Sequence, residues 1–329
     1  MNARRRIAVL GGGRSSEHDV SLTSARSVAE ALDPERYVAV PLTLERSNLW
    51  TDGIGRERNL SEAVEVLASC DVAVPMFHGI GGEDGTIAAL CDLVGLPYVG
   101  SGVLAGAAGM DKWITKLVAQ ALGIVTAPGI LLTRSSAREF AWSGPVVVKP
   151  VTGGSSHGVV LVREPTELDA ALAAAFALDE RVLVESVLSG REIDIPVLGG
   201  ANGPRTGPAV EIVVDGLFDF DTKYGGAADL RIPAPLSAEA LVALETAAVT
   251  MYEGLGCRGV ARIDFFLTDE GPVLNEVNTA PGFTSESQVP RSFAAAGLGY
   301  RELLTELIEV AVAGADDARV TVEGGRSKR

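Results

Sequence analysis

Residues 262–282 carry the most informative pattern in the chain and read Arg262-Ile-Asp264-Phe-Phe-Leu-Thr-Asp-Glu-Gly271-Pro-Val-Leu-Asn-Glu276-Val-Asn278-Thr-Ala-Pro281-Gly282. Both halves of this segment are rich in β-branched and aromatic residues, which favour strands. The Asp-Glu-Gly run at 269–271 between them is typical of a tight turn. The segment therefore predicts a β-hairpin.

Two carboxylates face each other in this predicted hairpin. With Glu270 at its centre, Asp264 lies opposite Glu276, and Arg262 lies opposite Asn278. Side chains alternate along a strand, so all four point to one face. Facing carboxylates repel each other unless a cation lies between them, and oxygen ligands of this kind suit Mg²⁺ that also binds substrate phosphates. The alternative is a solvated hairpin face, which seldom needs an Asn-Thr-x-Pro-Gly run beside a carboxylate.

Composition narrows the class of protein. The 329 residues suffice for two or three domains with an aliphatic core, since 47% are hydrophobic and 5% aromatic. A net charge of −15 argues against nucleic acid or an anionic membrane as a partner. Cys70, Cys91 and Cys257 lack metal-ligand spacing and are expected to be inert thiols. We find no signal peptide or membrane-spanning run and expect a cytoplasmic protein.

Strand and helix patterns alternate through residues 1–100, which predicts an α/β domain with a mainly parallel sheet. The predicted elements are strands 7–10, 37–42, 72–77 and 98–99 and helices 21–32 and 86–93. A glycine turn, Gly11–Gly13, follows the first strand. Ser16 stands at the third glycine position of the dinucleotide motif G-x-G-x-x-G, which argues against NAD binding.

Beyond residue 110 the pattern changes to short strands with fewer helices, typical of α+β structure. The predicted elements here are helices 111–122, 166–177, 238–255 and 300–312 and strands 144–149, 159–162, 182–185, 193–198 and 217–224. We therefore predict an N-terminal Rossmann-like domain at 1–110, a central domain at 111–190, a C-terminal domain with the metal and substrate site at 191–315, and a disordered tail at 316–329.

Lysine is scarce in this chain, and three of its five lysines lie in positions that suit phosphate binding. Lys112 begins a helix, Lys149 precedes a Gly/Ser loop, and Lys223 precedes Tyr-Gly-Gly. A compact ammonium binds phosphate as a point charge. Lys116 and Lys328 are equally consistent with scattered surface positions.

The segment 150–158, Pro-Val-Thr-Gly-Gly-Ser-Ser-His-Gly, connects two strand-like runs. Such a loop offers backbone N–H groups and hydroxyls to phosphates, although many Gly/Ser loops are only connections. It is not a Walker A loop, because no Gly-Lys-Ser/Thr enters a helix. Glu185 ends an apolar strand and Glu192 follows it; these carboxylates suit an adenine amino group and ribose hydroxyls, or they are surface acids.

Taken together, the segments resemble the ATP-grasp family and, within it, the D-alanine–D-alanine ligases, over residues 6–313. The resemblance is carried by Gly12-Gly-Arg-Ser-Ser-Glu17-His18-Asp-Val-Ser21, His78-Gly-Ile-Gly-Gly-Glu83-Asp-Gly85, Gly100-Ser-Gly102, Met110-Asp-Lys112, the Lys149 loop, Lys223-Tyr224, Arg262-Ile-Asp264 and Asn275-Glu-Val-Asn278-Thr-Ala-Pro-Gly282. It implies an ATP-grasp fold with an N-terminal Rossmann-like parallel-sheet domain. It also implies a homodimer and, as cofactors, ATP with two Mg²⁺ ions, or Mn²⁺.

The resemblance also implies three groups of site residues. The nucleotide group comprises Lys112, Lys149, Gly154, Ser155, Ser156, Glu185, Leu188, Glu192, Lys223, Asn275 and Glu276. The metal group comprises Asp264, Glu276 and Asn278. The substrate group comprises Glu17, His78, Arg262, Gly282, Ser287 and Gln288, and the catalytic residues are Glu17, Ser155, Tyr224, Arg262 and Gly282.

The implied reaction joins two D-alanines for peptidoglycan. ATP phosphorylates the first D-alanine, whose ammonium Glu17 binds; the amine of the second D-alanine then attacks, while Arg262 and the Gly282 N–H face the oxyanion. Two alternatives stay open. A paralogue with D-serine or D-lactate as acceptor is suggested by the loop 225–230 and by Gln288. The second alternative is a non-catalytic regulator that binds a nucleotide, although such a protein would not need Arg262 to face an oxyanion.

Overall fold

The computed structural model describes residues 3–213 and 229–326, with side chains through residue 314. Its strands are β1 (Arg5–Gly12), β2 (Tyr37–Leu44), β3 (Trp50–Asp52), β4 (Glu57–Arg58), β5 (Val72–Pro75), β6 (Gly129–Thr133), β7 (Val146–Pro150), β8 (Val160–Val162), β9 (Arg181–Ser186), β10 (Arg191–Leu198), β11 (Arg205–Thr206), β12 (Val210–Val213), β13 (Asp229–Arg231), β14 (Val260–Thr268) and β15 (Gly271–Asn278).

The helices in the same part of the chain cover the faces of these strands. They are α1 (His18–Ala31), α2 (Leu60–Ala68), α3 (Thr86–Val94), α4 (Val103–Met110), α5 (Lys112–Ala121), α6 (Leu168–Leu178), α7 (Ala238–Gly254), α8 (Gln288–Ala295) and α9 (Tyr300–Arg326). The strand predicted over 217–224, and with it Lys223 and Tyr224, lies outside the described residues.

The first sheet has the order β4-β3-β2-β1-β5, with β2, β1 and β5 parallel, as the βα alternation predicted. Strand β1, the middle one of the three parallel strands, is apolar on both faces, which is typical of a parallel strand covered on both sides. Ile7 and Val9 face a core that includes residues of α1, α8 and α9, whereas Ala8 and Leu10 face α2 and α3. The predicted strand at 98–99 is reduced to a single bridge between Ala73 and Tyr98.

The C-terminal helix α9 completes the first core, although the two lie at opposite ends of the sequence. Leu303, Leu304 and Leu307 are almost fully buried in the same cluster as Ile7 and Val9. Burying such side chains stabilises the fold by about 1.5–3 kcal/mol each. The N-terminal sheet therefore depends on residues that the sequence assigned to the C-terminal domain.

The second sheet, β6-β9-β7-β8, is antiparallel and carries α6 on one face. Val148 and Val184 on the strands pack against Leu172 and Phe176 on α6. Between β7 and β8 lies the Gly/Ser segment, in the position that the sequence predicted. This sheet therefore places the β7–β8 loop beside the strands of the third sheet, which come later in the sequence.

The third sheet runs β13-β12-β10-β14-β15, with β11 beside β10. In the β14–β15 hairpin, Asp264 pairs with Glu276, and Arg262 with Asn278, as predicted. The predicted centre at Glu270 is wrong, because Thr268 lies opposite Gly271 across a two-residue turn. A register shift at Asp264/Phe265 leaves Asn275 as an extra residue in β15, and this β-bulge restores the predicted pairing.

The tail also differs from its prediction. Helix α9 continues to Arg326, through most of the segment 316–329 that composition predicted to be disordered. Residues 316–323 contain neither proline nor glycine, so nothing in the backbone chemistry stops the helix before Gly324. No helix in the described residues is long and apolar enough to cross a membrane.

Candidate active site

A cleft of about 290 Å³ lies between the second and third sheets, under the β7–β8 loop. It brings together most of the predicted nucleotide group from distant parts of the sequence. The predicted residues that line it are Lys112, Lys149, Gly154, Ser156, Glu185, Leu188, Glu192, Arg262, Asp264, Asn275 and Glu276. Most of the predicted nucleotide group therefore shares one cavity with two of the three predicted metal ligands, Asp264 and Glu276.

Glu185 is the buried anion of this cleft. Its carboxylate accepts hydrogen bonds from Lys116 on one oxygen and from Lys149, at 2.5 Å, on the other. Burial alone would raise the Glu185 pKa, but Lys149 and Lys116 outweigh it and hold the pKa below its usual range. The prediction for this carboxylate was an adenine contact; in the structure both its oxygens accept from lysines.

The sequence left open that Lys116 is a scattered surface residue. The structure shows that this interpretation is wrong. Its side chain is buried at 3% exposure, one helical turn after Lys112 on α5. Its ammonium also donates to the Ala127 carbonyl at 2.6 Å. Its partner Glu185 lies 69 positions later in the chain, so only the i,i+4 spacing of the two lysines could have drawn attention to it.

Lys112 and Lys149 reach the cleft from two different elements, α5 and β7. Lys112 Nζ donates to the Gly153 carbonyl at 2.6 Å and lies 3.7 Å from a Glu276 oxygen. Lys149 Nζ also lies 3.5 Å from Oδ1 of Asn275, the extra residue of the β-bulge. Two ammonium groups thus converge on the face that carries the predicted metal ligands, as a site for a polyphosphate requires.

The predicted hairpin face is present and is already internally paired. Arg262 donates to both oxygens of Asp264, at 2.7 and 2.6 Å, in the planar fork that suits a carboxylate. Asn278 Nδ2 donates to Asp264 at 2.8 Å. Glu276, directly opposite Asp264, completes a group of oxygen ligands whose chemistry fits Mg²⁺.

Asp194 is a member of this group that the sequence did not reveal. It is fully buried on β10, directly across from Asp264, and lies 3.1 Å from Arg262 Nε. Burial would lower the Arg262 pKa, but Asp264 and Asp194 hold it well above its usual value. In the described residues, no three His, Cys, Asp or Glu side chains form a metal-binding group by themselves. The amide oxygen of Asn278 or phosphate oxygens of a substrate would complete the coordination of Mg²⁺ beside Asp264 and Glu276.

The β7–β8 loop is fastened to Glu17, which lies just before α1. Ser155 Oγ donates to Glu17 Oε1 at 2.5 Å, which joins two of the predicted catalytic residues, and both groups are buried. Ser155 and Ser156 have φ angles of 54° and 56°, a left-handed conformation that is uncommon for residues other than glycine. Tyr224, another catalytic residue that the resemblance implies, lies outside the described residues.

His78 and Glu83 hold both backbone polar groups of Ala280, in the loop after β15. His78 Nδ1 lies 3.0 Å from the Ala280 carbonyl, and the Ala280 N–H donates to Glu83 at 3.2 Å. Glu83 also accepts from the Gly79 N–H. Burial, reinforced by Glu17, raises the Glu83 pKa to about 7. Glu83 belongs to the motif at residues 78–85, but it was not among the predicted site residues.

The remaining predicted substrate residues lie together, in the second half of this loop and at the start of α8. A Cβ placed on Gly282 would come 3.4 Å from Ser287 Oγ, so the two residues are neighbours. Ser287 Oγ accepts from the Thr284 N–H at 3.0 Å, and Ser287 precedes the first residue of α8, Gln288. The Gln288 Oε1 atom is buried without a hydrogen-bond partner in the described structure. Its position fits a site where a polar ligand atom is bound.

Comparison with known proteins agrees with this geometry. A family profile described as D-ala D-ala ligase C-terminus matches residues 121–309, and the D-ala D-ala ligase N-terminus profile matches residues 6–65 and 53–101. The D-alanine–D-alanine ligase of Mycobacterium ulcerans is 41% identical over 94% of this chain and 96% of its own length. That of Corynebacterium aurimucosum is 40% identical over 94% and 98%.

Solved structures share the whole fold. The VanG D-Ala:D-Ser ligase of Enterococcus faecalis superposes with a TM-score of 0.83 at 34% identity, covering 94% of this chain and 100% of that one. The D-alanine–D-alanine ligase of Bacillus anthracis complexed with ATP gives 0.80 at 30% identity, covering 95% and 99%. The ATP-grasp fold expected from the sequence is thereby confirmed. The chain belongs to the D-alanine–D-alanine ligase family.

Proposed function

We propose that this protein joins two molecules of D-alanine at the expense of ATP, releasing D-alanyl-D-alanine, ADP and phosphate for peptidoglycan synthesis. One observation carries the proposal: a single cleft places Lys112, Lys149 and the Asp264/Glu276 pair beside Arg262. Cations for phosphates, ligands for a metal and a donor for an oxyanion are the groups that an acyl-phosphate ligation needs.

In the first step, the carboxylate of one D-alanine attacks the γ-phosphate of ATP, and an acyl phosphate forms as ADP departs. Lys112 and Lys149 neutralise the phosphate oxygens and align them with the carboxylate. Asp264, Glu276 and Asn278 would hold Mg²⁺, which neutralises charge on the transferred phosphoryl group when bound. Glu17 binds the ammonium of this D-alanine, and His78 lies beside its carboxylate.

In the second step, the free amine of the other D-alanine attacks the acyl carbon, and phosphate leaves from the tetrahedral intermediate. Arg262 and the N–H of Gly282 donate hydrogen bonds to the oxyanion. His78 and Glu83 grip both polar groups of Ala280, two residues before Gly282, and so fix the backbone that presents this N–H. Ser287, with Gln288 after it, binds the carboxylate of the second D-alanine.

The proposal is tested by ADP release and by mass spectrometry of the product, with ATP, Mg²⁺ and D-alanine. D-serine, D-lactate and L-alanine are offered in parallel as acceptors. We expect D-alanyl-D-alanine as the main product and its loss in Glu276→Ala, checked for folding by circular dichroism. Exclusive turnover of a mixed pair would replace the proposal with that of a D-Ala–D-X ligase, and ATP binding without ADP formation would replace it with a regulator.

We also infer that the enzyme acts in the cytoplasm, where ATP and D-alanine meet, and that it forms a homodimer. The resemblance to the family supports both statements. Sedimentation velocity of the purified chain tests the second: a single species of twice the chain mass is expected, and a monomer at micromolar concentration contradicts it.

A further inference from the structure

Lys116 has no contact that the proposed reaction requires, yet it is one of the few lysines in the chain and is almost fully buried. Burying an ammonium costs several kcal/mol unless a counter-ion and hydrogen bonds compensate it. The Ala127 carbonyl and the Glu185 carboxylate supply that compensation. Ala127, Glu185 and Lys149 line the nucleotide cleft, whereas Lys116 lies behind them.

Two ammonium groups therefore share one carboxylate at the wall of the cleft. If Lys149 were the only partner of Glu185, moving it toward a bound phosphate would leave a buried carboxylate without a counter-ion. Removal of one partner from a buried pair is strongly unfavourable. With Lys116 in place, Glu185 remains neutralised while Lys149 turns into the cleft. The group then carries one net positive charge, which is available to an anion.

We propose that Lys116 is a positioning residue of the nucleotide site, the permanent counter-ion of Glu185 that releases Lys149 to the phosphates. The inference rests on the proposed function, because it takes the ligand of Lys149 to be a nucleotide phosphate. Lys116 itself does not touch the nucleotide. Its effect reaches the ligand only through Glu185 and Lys149.

The test is a double-mutant cycle on Lys116 and Glu185. The affinity for ADP is measured by isothermal titration calorimetry on the full-length protein, with Mg²⁺ and without D-alanine. Lys116→Met in the wild-type background is expected to weaken ADP binding about tenfold or more, because Glu185 then holds Lys149 alone. Turnover at saturating ATP is expected to fall less than ADP affinity does, because bound phosphates already hold Lys149 away from Glu185 in the saturated enzyme. In the Glu185→Gln background, the same Lys116→Met change is expected to leave ADP affinity within about threefold.

A Lys116→Met effect of equal size in both backgrounds overturns the proposal, as does unchanged ADP binding in the wild-type background. A purely structural role would lower the melting temperature without this dependence on Glu185. If the Lys116→Met single variant does not fold, Glu185→Gln is compared with the double variant that also carries Lys116→Met. A tenfold difference in ADP affinity between these two proteins overturns the proposal. Because ADP binding is measured without D-alanine, failure to make the dipeptide affects only the proposed function.

Discussion

At the scale of single residues, Arg262 serves two purposes that a sequence motif does not separate. It is the proposed oxyanion donor, and it also forms ion pairs with both Asp194 and Asp264. Arg262→Ala would leave two facing buried carboxylates, and we expect a loss of about 3–5 kcal/mol of stability. Arg262→Ala therefore does not separate a loss of chemistry from a loss of folding.

Arg262→Lys therefore tests the chemistry with less disturbance of the fold. Lysine keeps the charge but lacks the planar fork that spans both oxygens of Asp264. We expect turnover to fall on the order of a hundredfold, with a native circular dichroism spectrum. Near-normal turnover of Arg262→Lys would show that a point charge suffices and would remove the directional hydrogen bond from the mechanism.

Glu83 gives a prediction about pH. Its folded-state pKa of about 7 lies above the ordinary carboxyl value of 4.5, so the folded protein holds this proton more tightly than the unfolded chain does. The stability that follows is present below pH 4.5 and is lost as pH rises through about 7. The free energy of unfolding of the metal-free, nucleotide-free protein should therefore fall over this range. Urea titrations of the wild type and Glu83→Gln measure it; parallel pH profiles would contradict the assignment.

At the scale of elements, the β7–β8 loop depends on the absence of a side chain at Gly154. A Cβ there would lie 2.9 Å from a Glu17 carboxylate oxygen, although the backbone conformation would accept alanine. We expect Gly154→Ala to lift the loop from Glu17 and lower turnover about tenfold or more, with little change in melting temperature.

Two comparisons sharpen the test of this loop. Ser155→Ala removes the hydrogen bond to Glu17 without adding bulk and should lower turnover in the same direction. Gly314→Ala is the matched control, because a Cβ at that glycine meets no atom within 4 Å. If Gly154→Ala behaves like Gly314→Ala in steady-state assays, closure of the loop on Glu17 is not part of catalysis.

The elements also show what could be predicted from sequence. Alternation along each strand placed Arg262 with Asp264 and Glu276 with Asn278, because side-chain period is a local property. The pairing of Asp264 with Glu276 was right only because the bulge at Asn275 offsets the wrong hairpin centre. The bulge at Asn275 was not predictable, since it depends on backbone twist that composition does not encode. Asp194 and Lys116 escaped because their partners are distant in sequence and their neighbours are ordinary apolar strand or helix residues. Long-range pairing of buried charges leaves little local pattern.

At the scale of the whole molecule, the first and last elements share one core. Leu307 is 2% exposed and packs in the cluster that contains Ile7 and Val9 of β1. We expect Leu307→Ala to reduce the free energy of unfolding by about 2–5 kcal/mol. Urea unfolding followed by circular dichroism measures this, and Leu93→Ala, at an 88% exposed position, should change it by less than about 0.5 kcal/mol. Equal effects of the two substitutions would show that α9 adds nothing to the first sheet.

The shared core of β1 and α9 also affects how the chain folds while it is being translated. Strand β1 is among the first segments to leave the ribosome, but the leucines of α9 that cover Ile7 and Val9 follow about three hundred residues later. Until then one apolar face of the N-terminal sheet lacks its cover, and a nascent chain exposing it is a substrate for chaperones. The N-terminal half therefore cannot reach its final packing until α9 has been synthesised.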